Sequence, residues 1–146
     1  MNIDREKLIP EAVTVRLLGK DSGFDYSDDV RALFLDAGWI GESDDTSYLP
    51  AMLRNSFCVA GAFYKGHLIG MMRALSDGVS DAYLLDMVVL TPYRGNGIAL
   101  RILECLVAYL KSLGIDWLVC ISVPGAEKLY LKLGEKMDEH IPIRFH

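Results

Sequence analysis

The spacing of hydrophobic residues along the chain predicts a series of helices and strands. The clearest helix covers residues 98–113, where apolar side chains recur every three or four positions and Gly114 follows as a stop signal. Three further helices are predicted at residues 27–37, 46–54 and 126–133. Apolar, β-prone runs predict strands between them. These strands are residues 13–18, 56–64, 67–75, 82–90, 117–123 and 141–145.

The order of these elements predicts an α+β fold. Residues 56–64 and 67–75 are separated only by Lys65-Gly66, which is typical of a hairpin between antiparallel strands. From residue 82 onward the pattern is strand, helix, strand. The nearly continuous apolar run at residues 117–123 is typical of a strand covered on both faces. We therefore predict an antiparallel group of strands followed by a strand-helix-strand unit.

Size and composition predict a single domain, residues 1–146. A chain of 146 residues, of which 51% are hydrophobic, suffices for one substantial core and is too short for two ordinary domains. The start, residues 1–7, is charged, and no apolar run reaches the ~20 residues that a membrane span needs. We therefore expect a cytoplasmic protein that has no membrane partner.

Charge and cysteine content argue against two classes of function. The net charge of -5 is the opposite of the basic stripe on a nucleic-acid-binding surface, so no nucleic acid is expected as a partner, and it suits a cationic small molecule better. Cys58, Cys105 and Cys120 are odd in number and have no paired short spacing, which disfavours a disulfide framework or a zinc site. No pair of histidines or carboxylates has a metal-ligand spacing, so we expect no metal.

A glycine-rich segment connects the strand at residues 82–90 to the long helix. We call it the glycine loop, Arg94-Gly95-Asn96-Gly97-Ile98-Ala99. The first N–H groups of a helix lack intrahelical partners and carry partial positive charge, so an anion is favoured there. Gly95 and Gly97 permit positive φ and a close approach to a phosphate, and Arg94 adds a cation. The alternative interpretation is a tight turn with Arg94 solvated at the surface.

Two common nucleotide-binding motifs do not fit this segment. A P-loop requires Gly-x-x-x-x-Gly-Lys-Ser/Thr, and no such run occurs in the sequence. A Rossmann fingerprint requires glycine or alanine at position 100, where Leu100 stands, and two βαβ halves, for which too little chain follows Ala99. A dinucleotide-binding function is therefore disfavoured.

The glycine loop resembles the Arg/Gln-x-x-Gly-x-Gly/Ala motif of the GNAT superfamily of N-acetyltransferases. Residues 129–134 resemble the family's Phe-Tyr-x-Lys-x-Gly-Phe signature, with Leu129 in place of the first Phe and Glu135 in place of the second. The resemblance covers about residues 57–134. It implies a three-layer α+β (α/β) fold with a mixed, mostly antiparallel central sheet of about 6–7 strands, flanked by about 4 helices.

The resemblance implies acetyl-CoA as the co-substrate. Its pyrophosphate would be held by Arg94, Gly95, Asn96, Gly97, Ile98 and Ala99. Its pantetheine arm would pair with the strand backbone at Met87, Val88 and Val89. Tyr130 matches a tyrosine that in many relatives meets the cofactor and protonates the departing CoA thiolate, a role open to a phenol of pKa about 10. The alternative role for Tyr130 is aromatic packing.

The acceptor amine must lose a proton before it attacks, and Asp86 is the first candidate base. Its carboxylate lies within an apolar strand, a setting that favours proton uptake. Alternation places Asp86 on the face opposite Leu85 and Met87, where it could instead be a structural hydrogen-bond acceptor. Tyr83 is a candidate for lining the acceptor site. Asp77, in the preceding loop, could meet a cationic acceptor or end a turn.

Two functions are consistent with these residues. The first is an N-acetyltransferase that moves an acetyl group from acetyl-CoA to a primary amine by direct attack in a ternary complex. The second is a non-catalytic acyl-CoA-binding or regulatory module of the same fold. For the enzyme, the acceptor would be a small-molecule or peptide amine. A homodimer is compatible with this class of protein.

Overall fold

A mixed sheet of five strands organises the part of the chain that the computed structural model describes, residues 8–19 and 26–146. The charged start, residues 1–7, lies outside the described residues. The strands lie in the sheet in chain order. They are β1 (Thr14–Leu17), β2 (Cys58–Tyr64), β3 (His67–Ser76), β4 (Asp81–Val89) and β5 (Trp117–Cys120). Neighbours from β1 to β4 are antiparallel, and β4 and β5 are parallel.

Helices cover both faces of the sheet. They are α1 (Ser27–Asp36), α2 (Leu49–Asn55), α3 (Ile98–Ser112) and α4 (Glu127–Tyr130). α3 buries Ile102, Leu106 and Leu110 in one core, and α1 and α2 bury Leu33 and Leu49 in a second. None of the described helices combines the length and the apolar composition needed to cross a bilayer. The α+β class and the strand-helix-strand unit β4–α3–β5 are confirmed.

The side chains of β2 divide between the two cores. Cys58, Ala60 and Ala62 pack in the core that contains α3, whereas Val59 packs in the core that contains α1 and α2. Because successive side chains of a strand point to opposite faces, the two cores lie on opposite sides of the sheet. The result is the three-layer arrangement that the resemblance implied.

The sheet is smaller than the predicted 6–7 strands, and the prediction of a strand at residues 141–145 is wrong. This segment has no regular structure, and Ile141 and Phe145 are 83% and 88% exposed. A β-prone sequence forms a strand only where a neighbouring strand supplies hydrogen bonds and packing. Within the described residues, no strand pairs with this segment.

The prediction of a strand at residues 117–123 covered on both faces is also wrong in extent and in burial. β5 ends at Cys120 and lies at the edge of the described sheet, where β4 is its one partner among the described strands. Val123, beyond its end, is 70% exposed. Apolar composition does not distinguish an edge strand from a central one, because the number of neighbours is a property of the whole sheet. The helix predicted at residues 126–133 is likewise shorter, since α4 ends at Tyr130.

Local sequence signals explain two other boundaries. Lys65 and Gly66 have φ of 49° and 80°, and two positive values are what a two-residue type I′ hairpin requires. The predicted hairpin between β2 and β3 is therefore confirmed. α2 begins at Leu49 rather than at residue 46, because Pro50 favours the first turn of a helix.

β4 contains an irregularity that the sequence did not reveal. The register between β3 and β4 shifts between Met71 and Arg73, so that Asp86 and Met87 lie opposite one residue of β3. Asp86 has φ of +59°, a value that residues with a Cβ seldom adopt. A bulge of this kind bends a strand and increases its twist. The bend lies a few residues before the glycine loop.

Candidate functional site

The glycine loop lies between the end of β4 and the start of α3, where the sequence pattern predicted it. Gly95 and Gly97 have φ of +79° and +74°, a region that strains any residue with a Cβ. Gly97 is the N-cap of α3, and none of the described side chains caps the helix. The first N–H groups of this 15-residue helix therefore lack a side-chain acceptor, and an anion is favoured in front of them.

Side chains of the glycine loop hold its backbone in shape. Arg94 Nε donates a hydrogen bond to Val89 O at 2.8 Å. Asn96 Nδ2 donates to Tyr93 O at 3.0 Å and to Arg94 O at 3.2 Å. Arg94 Nη2 also lies 3.6 Å from Asp36 Oδ2, at the end of α1. Arg94 and Asn96 therefore shape the loop, in addition to any contact that they make with a ligand.

β4 has an unpaired edge beside the glycine loop. β4 and β5 pair only as far as Leu84 and Cys120, and β5 ends there. The end of β4, with Met87, Val88 and Val89, keeps an edge that has no strand partner among the described residues. The N–H and C=O groups on such an edge can hydrogen-bond an extended amide chain.

A cavity of about 270 Å³ joins the end of β4, the glycine loop and the end of α1. Its lining is apolar apart from one arginine. The lining residues are Ala37, Trp39, Met87, Val88, Val89, Arg94 and Ala99. The structure thus brings together predicted residues from the strand and from the loop. It adds the end of α1, which no motif in the sequence indicated.

Asp86 lies at the bulge and forms an ion pair with Arg73 of the neighbouring strand. Arg73 Nε donates to Asp86 Oδ2 at 2.6 Å, and neither side chain is more than 27% exposed. Arg73 Nη1 donates to Ser56 Oγ at 3.4 Å, and the fully buried Ser56 donates to Met52 O at 2.8 Å. The network links the end of α2, β3 and the bulge of β4.

This network bears on the two roles predicted for Asp86. Oδ2 is a structural hydrogen-bond acceptor, whereas Oδ1 has no hydrogen-bond partner among the described residues. The face assignment by strict alternation does not apply, because the bulge interrupts the alternation at Asp86 and Met87. The sequence did not point to Arg73, since its pairing with Asp86 depends on the register of two strands.

Loss of the ion pair between Arg73 and Asp86 is expected to lower the stability of the fold. Arg73→Met is expected to lower the free energy of unfolding by about 1–2 kcal/mol, because Asp86 keeps a partly buried charge without its partner. Urea unfolding followed by circular dichroism measures this change. The double variant Arg73→Met/Asp86→Asn is the control and should recover part of the loss. Equal stability of wild type and Arg73→Met would show that the pair contributes nothing.

Tyr130 lies at the end of α4, near the last residue of β5. Burial raises the pKa of Tyr130, and the neighbouring Cys120 raises it further. Burial also raises the pKa of Cys120. Since Cys120 pairs with Leu84 where β4 and β5 separate, Tyr130 is placed near the opening between the two strands. Tyr130 is not a lining residue of the cavity described above. Both groups are protonated at neutral pH, which suits a proton donor and not a thiolate nucleophile.

The two residues predicted for the acceptor side lie in different surroundings. Tyr83 is on the paired part of β4, between Leu75 of β3 and Val119 of β5. Asp77 lies in the loop before β4, where Oδ1 accepts from the backbone N–H of Val79 and of Ser80, each at 2.8 Å. Hydrogen bonds, above all the one from the Ser80 hydroxyl, hold the pKa of Asp77 well below its usual range. Asp77 therefore closes its own turn.

The strand, the glycine loop and the helix define the class of this protein. The model of the acetyltransferase (GNAT) family matches residues 25–134. The match extends from before α1 to beyond α4 and includes the glycine loop, the bulge and Tyr130. The chain belongs to the GNAT acetyltransferase family.

Two curated acetyltransferases resemble the chain in sequence. The chain is 28% identical over 144 residues to "Histone acetyltransferase TAP1" of Glycine max, with 91% of this chain and 62% of the relative covered. It is also 28% identical over 144 residues to "Probable acetyltransferase TAP2" of Glycine max, with 91% and 57% covered. The chain thus spans about three fifths of the length of the curated relatives that it matches.

Solved structures share the fold. A GNAT-family acetyltransferase from Streptococcus pneumoniae has a TM-score of 0.73 and 19% identity, with 92% of this chain and 98% of that chain covered. A ribosomal-protein-alanine N-acetyltransferase from Brucella melitensis has a TM-score of 0.69 and 22% identity, with 92% and 100% covered. At these identities the likeness establishes the architecture.

Proposed function

We propose that this protein transfers an acetyl group from acetyl-CoA to a primary amine by direct attack in a ternary complex. The observation that carries the proposal is the glycine loop at the uncapped start of α3, next to the unpaired edge of β4. The pyrophosphate of acetyl-CoA would meet the N–H groups of α3, and the pantetheine amides would pair with Met87, Val88 and Val89. With the ligand placed in this way, its thioester end points along β4 toward the bulge at Asp86.

The proposed step forms a C–N bond and breaks a C–S bond. The amine nitrogen attacks the carbonyl carbon of the thioester, and the CoA sulfur leaves as a thiolate that takes the phenolic proton of Tyr130. The nitrogen of the new amide releases its extra proton to solvent, and Tyr130 regains a proton from solvent. The raised pKa of Cys120 supports this direct route over one through a cysteine nucleophile, because little thiolate exists at neutral pH.

The acceptor must first be neutral. An alkyl amine with a pKa of about 10 is unprotonated in about one molecule per thousand at pH 7. In the proposed mechanism, the unpaired Oδ1 of Asp86 accepts the proton directly or through a water molecule. Arg73 meanwhile keeps Oδ2 in place, at 2.6 Å from its Nε. Asp86 therefore combines both of the roles considered for it.

We propose a small-molecule or peptide amine as the acceptor. The net charge of -5 favours a cationic acceptor through long-range attraction. One relative is named a histone acetyltransferase and one structural neighbour a ribosomal-protein-alanine N-acetyltransferase, which supports the inclusion of peptides among the candidates. Tyr83, three residues before Asp86 on β4, is the candidate for contact with the acceptor.

Isothermal titration calorimetry tests the donor first. The purified protein is titrated with acetyl-CoA, with free CoA and with NADH as the comparison ligand. We expect micromolar binding of acetyl-CoA and of CoA and none of NADH. Absence of binding to both CoA species would mean that the glycine loop is only a turn, and the proposal would fail.

An assay of thiol release then tests the transfer. Small amines, polyamines, aminoglycosides and peptides with a free amino terminus or a lysine are supplied with acetyl-CoA, and CoA release is followed. Amine-dependent release identifies the acceptor class. Binding of acetyl-CoA without release for any amine would favour the non-catalytic acyl-CoA-binding module.

A further inference from the structure

Asp36, the last residue of α1, bonds the start of the segment that leads into the glycine loop. Its Oδ2 accepts a hydrogen bond from Thr91 N at 2.8 Å and another from Thr91 Oγ1 at 2.9 Å. The same oxygen lies 3.6 Å from Arg94 Nη2. Two hydrogen bonds from Thr91 and an ion pair with Arg94 therefore converge on a single carboxylate oxygen.

The position of Asp36 at the end of α1 does not explain why this residue is acidic. A negative charge at the C-terminal end of a helix is opposed by the helix dipole. The compensating contacts come from Thr91 and Arg94, and the side chain of Asp36 is only 28% exposed. The residue thus stabilises a contact between α1 and the loop and gains nothing from its own helix.

The contact lies beside the cavity. Ala37 and Trp39, which follow Asp36, line the cavity together with Arg94. Arg94 is held at two points, by Val89 O through Nε and by Asp36 through Nη2, while Nη1 has no hydrogen bond to the described residues. Two fixed nitrogens determine the direction in which the third one points, and the side chain remains 53% exposed.

We propose that Asp36 is a positioning residue for the acetyl-CoA phosphates. It fastens Thr91 and Arg94 to the end of α1, so that the glycine loop and the Arg94 guanidinium are already in place when the ligand arrives. The effect is preorganisation, since two glycines in the loop leave its backbone free to adopt other conformations. This inference rests on the proposed function.

Three variants separate the contributions of Asp36. Asp36→Ala removes all three contacts and should raise the Kd of acetyl-CoA about tenfold in calorimetry. Asp36→Asn keeps an oxygen for Thr91 and should change the Kd less than threefold. Thr91→Val removes only the hydroxyl and should raise the Kd about threefold. Asp28→Ala, an exposed carboxylate on the first turn of α1, is the matched control and should bind like wild type.

Two further readouts distinguish positioning from a general loss of structure. The double variant Asp36→Ala/Thr91→Val should bind no more weakly than Asp36→Ala, because both changes remove the same contact. The KM for acetyl-CoA should rise with the Kd, while kcat at saturating acetyl-CoA stays within twofold of wild type. Additive losses in the double variant would contradict the contact as the cause.

The outcomes for the two proposals are distinguishable. Failure of the wild type to bind acetyl-CoA would overturn the proposed function, and this inference with it. Binding by wild type together with equal or tighter binding by Asp36→Ala would overturn this inference alone. If Asp36→Ala does not fold, Thr91→Val decides, because an unchanged Kd in that folded variant contradicts the role of the contact.

Discussion

Replacement of Gly97 by aspartate is expected to weaken acetyl-CoA binding at least a hundredfold. Gly97 is the N-cap of α3 and has φ of +74°. Asparagine and aspartate tolerate this conformation better than other residues with a side chain, so the fold should be retained. Apart from its chain neighbours, no described residue has an atom within 4 Å of a Cβ built at Gly97. The new carboxylate would therefore lie in the space where the phosphates are proposed to bind. Calorimetric titration measures the effect.

Gly97→Asn is the matched control for this prediction. It has the same shape and the same backbone tolerance as Gly97→Asp but carries no charge. We expect it to bind acetyl-CoA no more than about tenfold more weakly than wild type, through the loss of close approach alone. Wild-type affinity in Gly97→Asp would place the phosphates elsewhere. Equal losses in the two variants would point to backbone strain rather than to charge.

Tyr130→Phe is expected to lower kcat about a hundredfold and to leave the Kd of acetyl-CoA within twofold. Removal of the hydroxyl takes away the proposed proton donor to the CoA thiolate, and general acid catalysis contributes at least this factor. The aromatic ring, which packs beside the core that contains α3, is retained. Steady-state thiol release gives kcat, and calorimetry gives the Kd.

Tyr109→Phe provides the comparison for Tyr130→Phe. Tyr109 is a partly buried tyrosine of α3 against the same core, and its substitution removes a hydroxyl of equal size. It should leave kcat unchanged. If Tyr130→Phe also leaves kcat unchanged, Tyr130 has no part in the reaction and its role is packing.

The raised pKa of Tyr130 gives the sign of its pH dependence. Burial, with Cys120 nearby, favours the neutral phenol in the folded protein, so the group is a competent donor throughout the neutral range. Its contribution to stability is complete below the unfolded-state pKa of about 10 and is lost as the pH rises through the higher folded-state value. Turnover should therefore show no loss from tyrosine ionisation below about pH 10.

Elements with strong local signals were predictable from the sequence. The apolar stripe of α3 and its stop at Gly114 depend on residues within one or two helical turns. The hairpin at Lys65-Gly66 depends on two residues that adopt positive φ. The glycine loop combines both kinds of signal, and the partial positive charge at a helix N-terminus makes it a candidate anion site on the sequence pattern alone.

Elements whose identity depends on a partner were not predictable. Residues 141–145 have the composition of a strand, yet no strand of the described chain pairs with them. The apolar run at residues 117–123 suggested a central strand, but its neighbours make β5 an edge strand. Composition shows only that a segment is able to form a strand. Whether it forms one, and whether that strand is central or at the edge, depends on which strands pair with it.

The long helix, the hairpin, the glycine loop and the family resemblance follow from the amino-acid sequence, because each rests on residues close together in the chain. Three other features depend on the folded arrangement: Asp86 sits on a bulge beside Arg73, β4 and β5 separate after Leu84, and Asp36 meets Thr91. Those contacts join segments far apart in the chain. They depend on strand register and on helix packing. Both are determined by interactions among many segments of the fold, so no single segment predicts them.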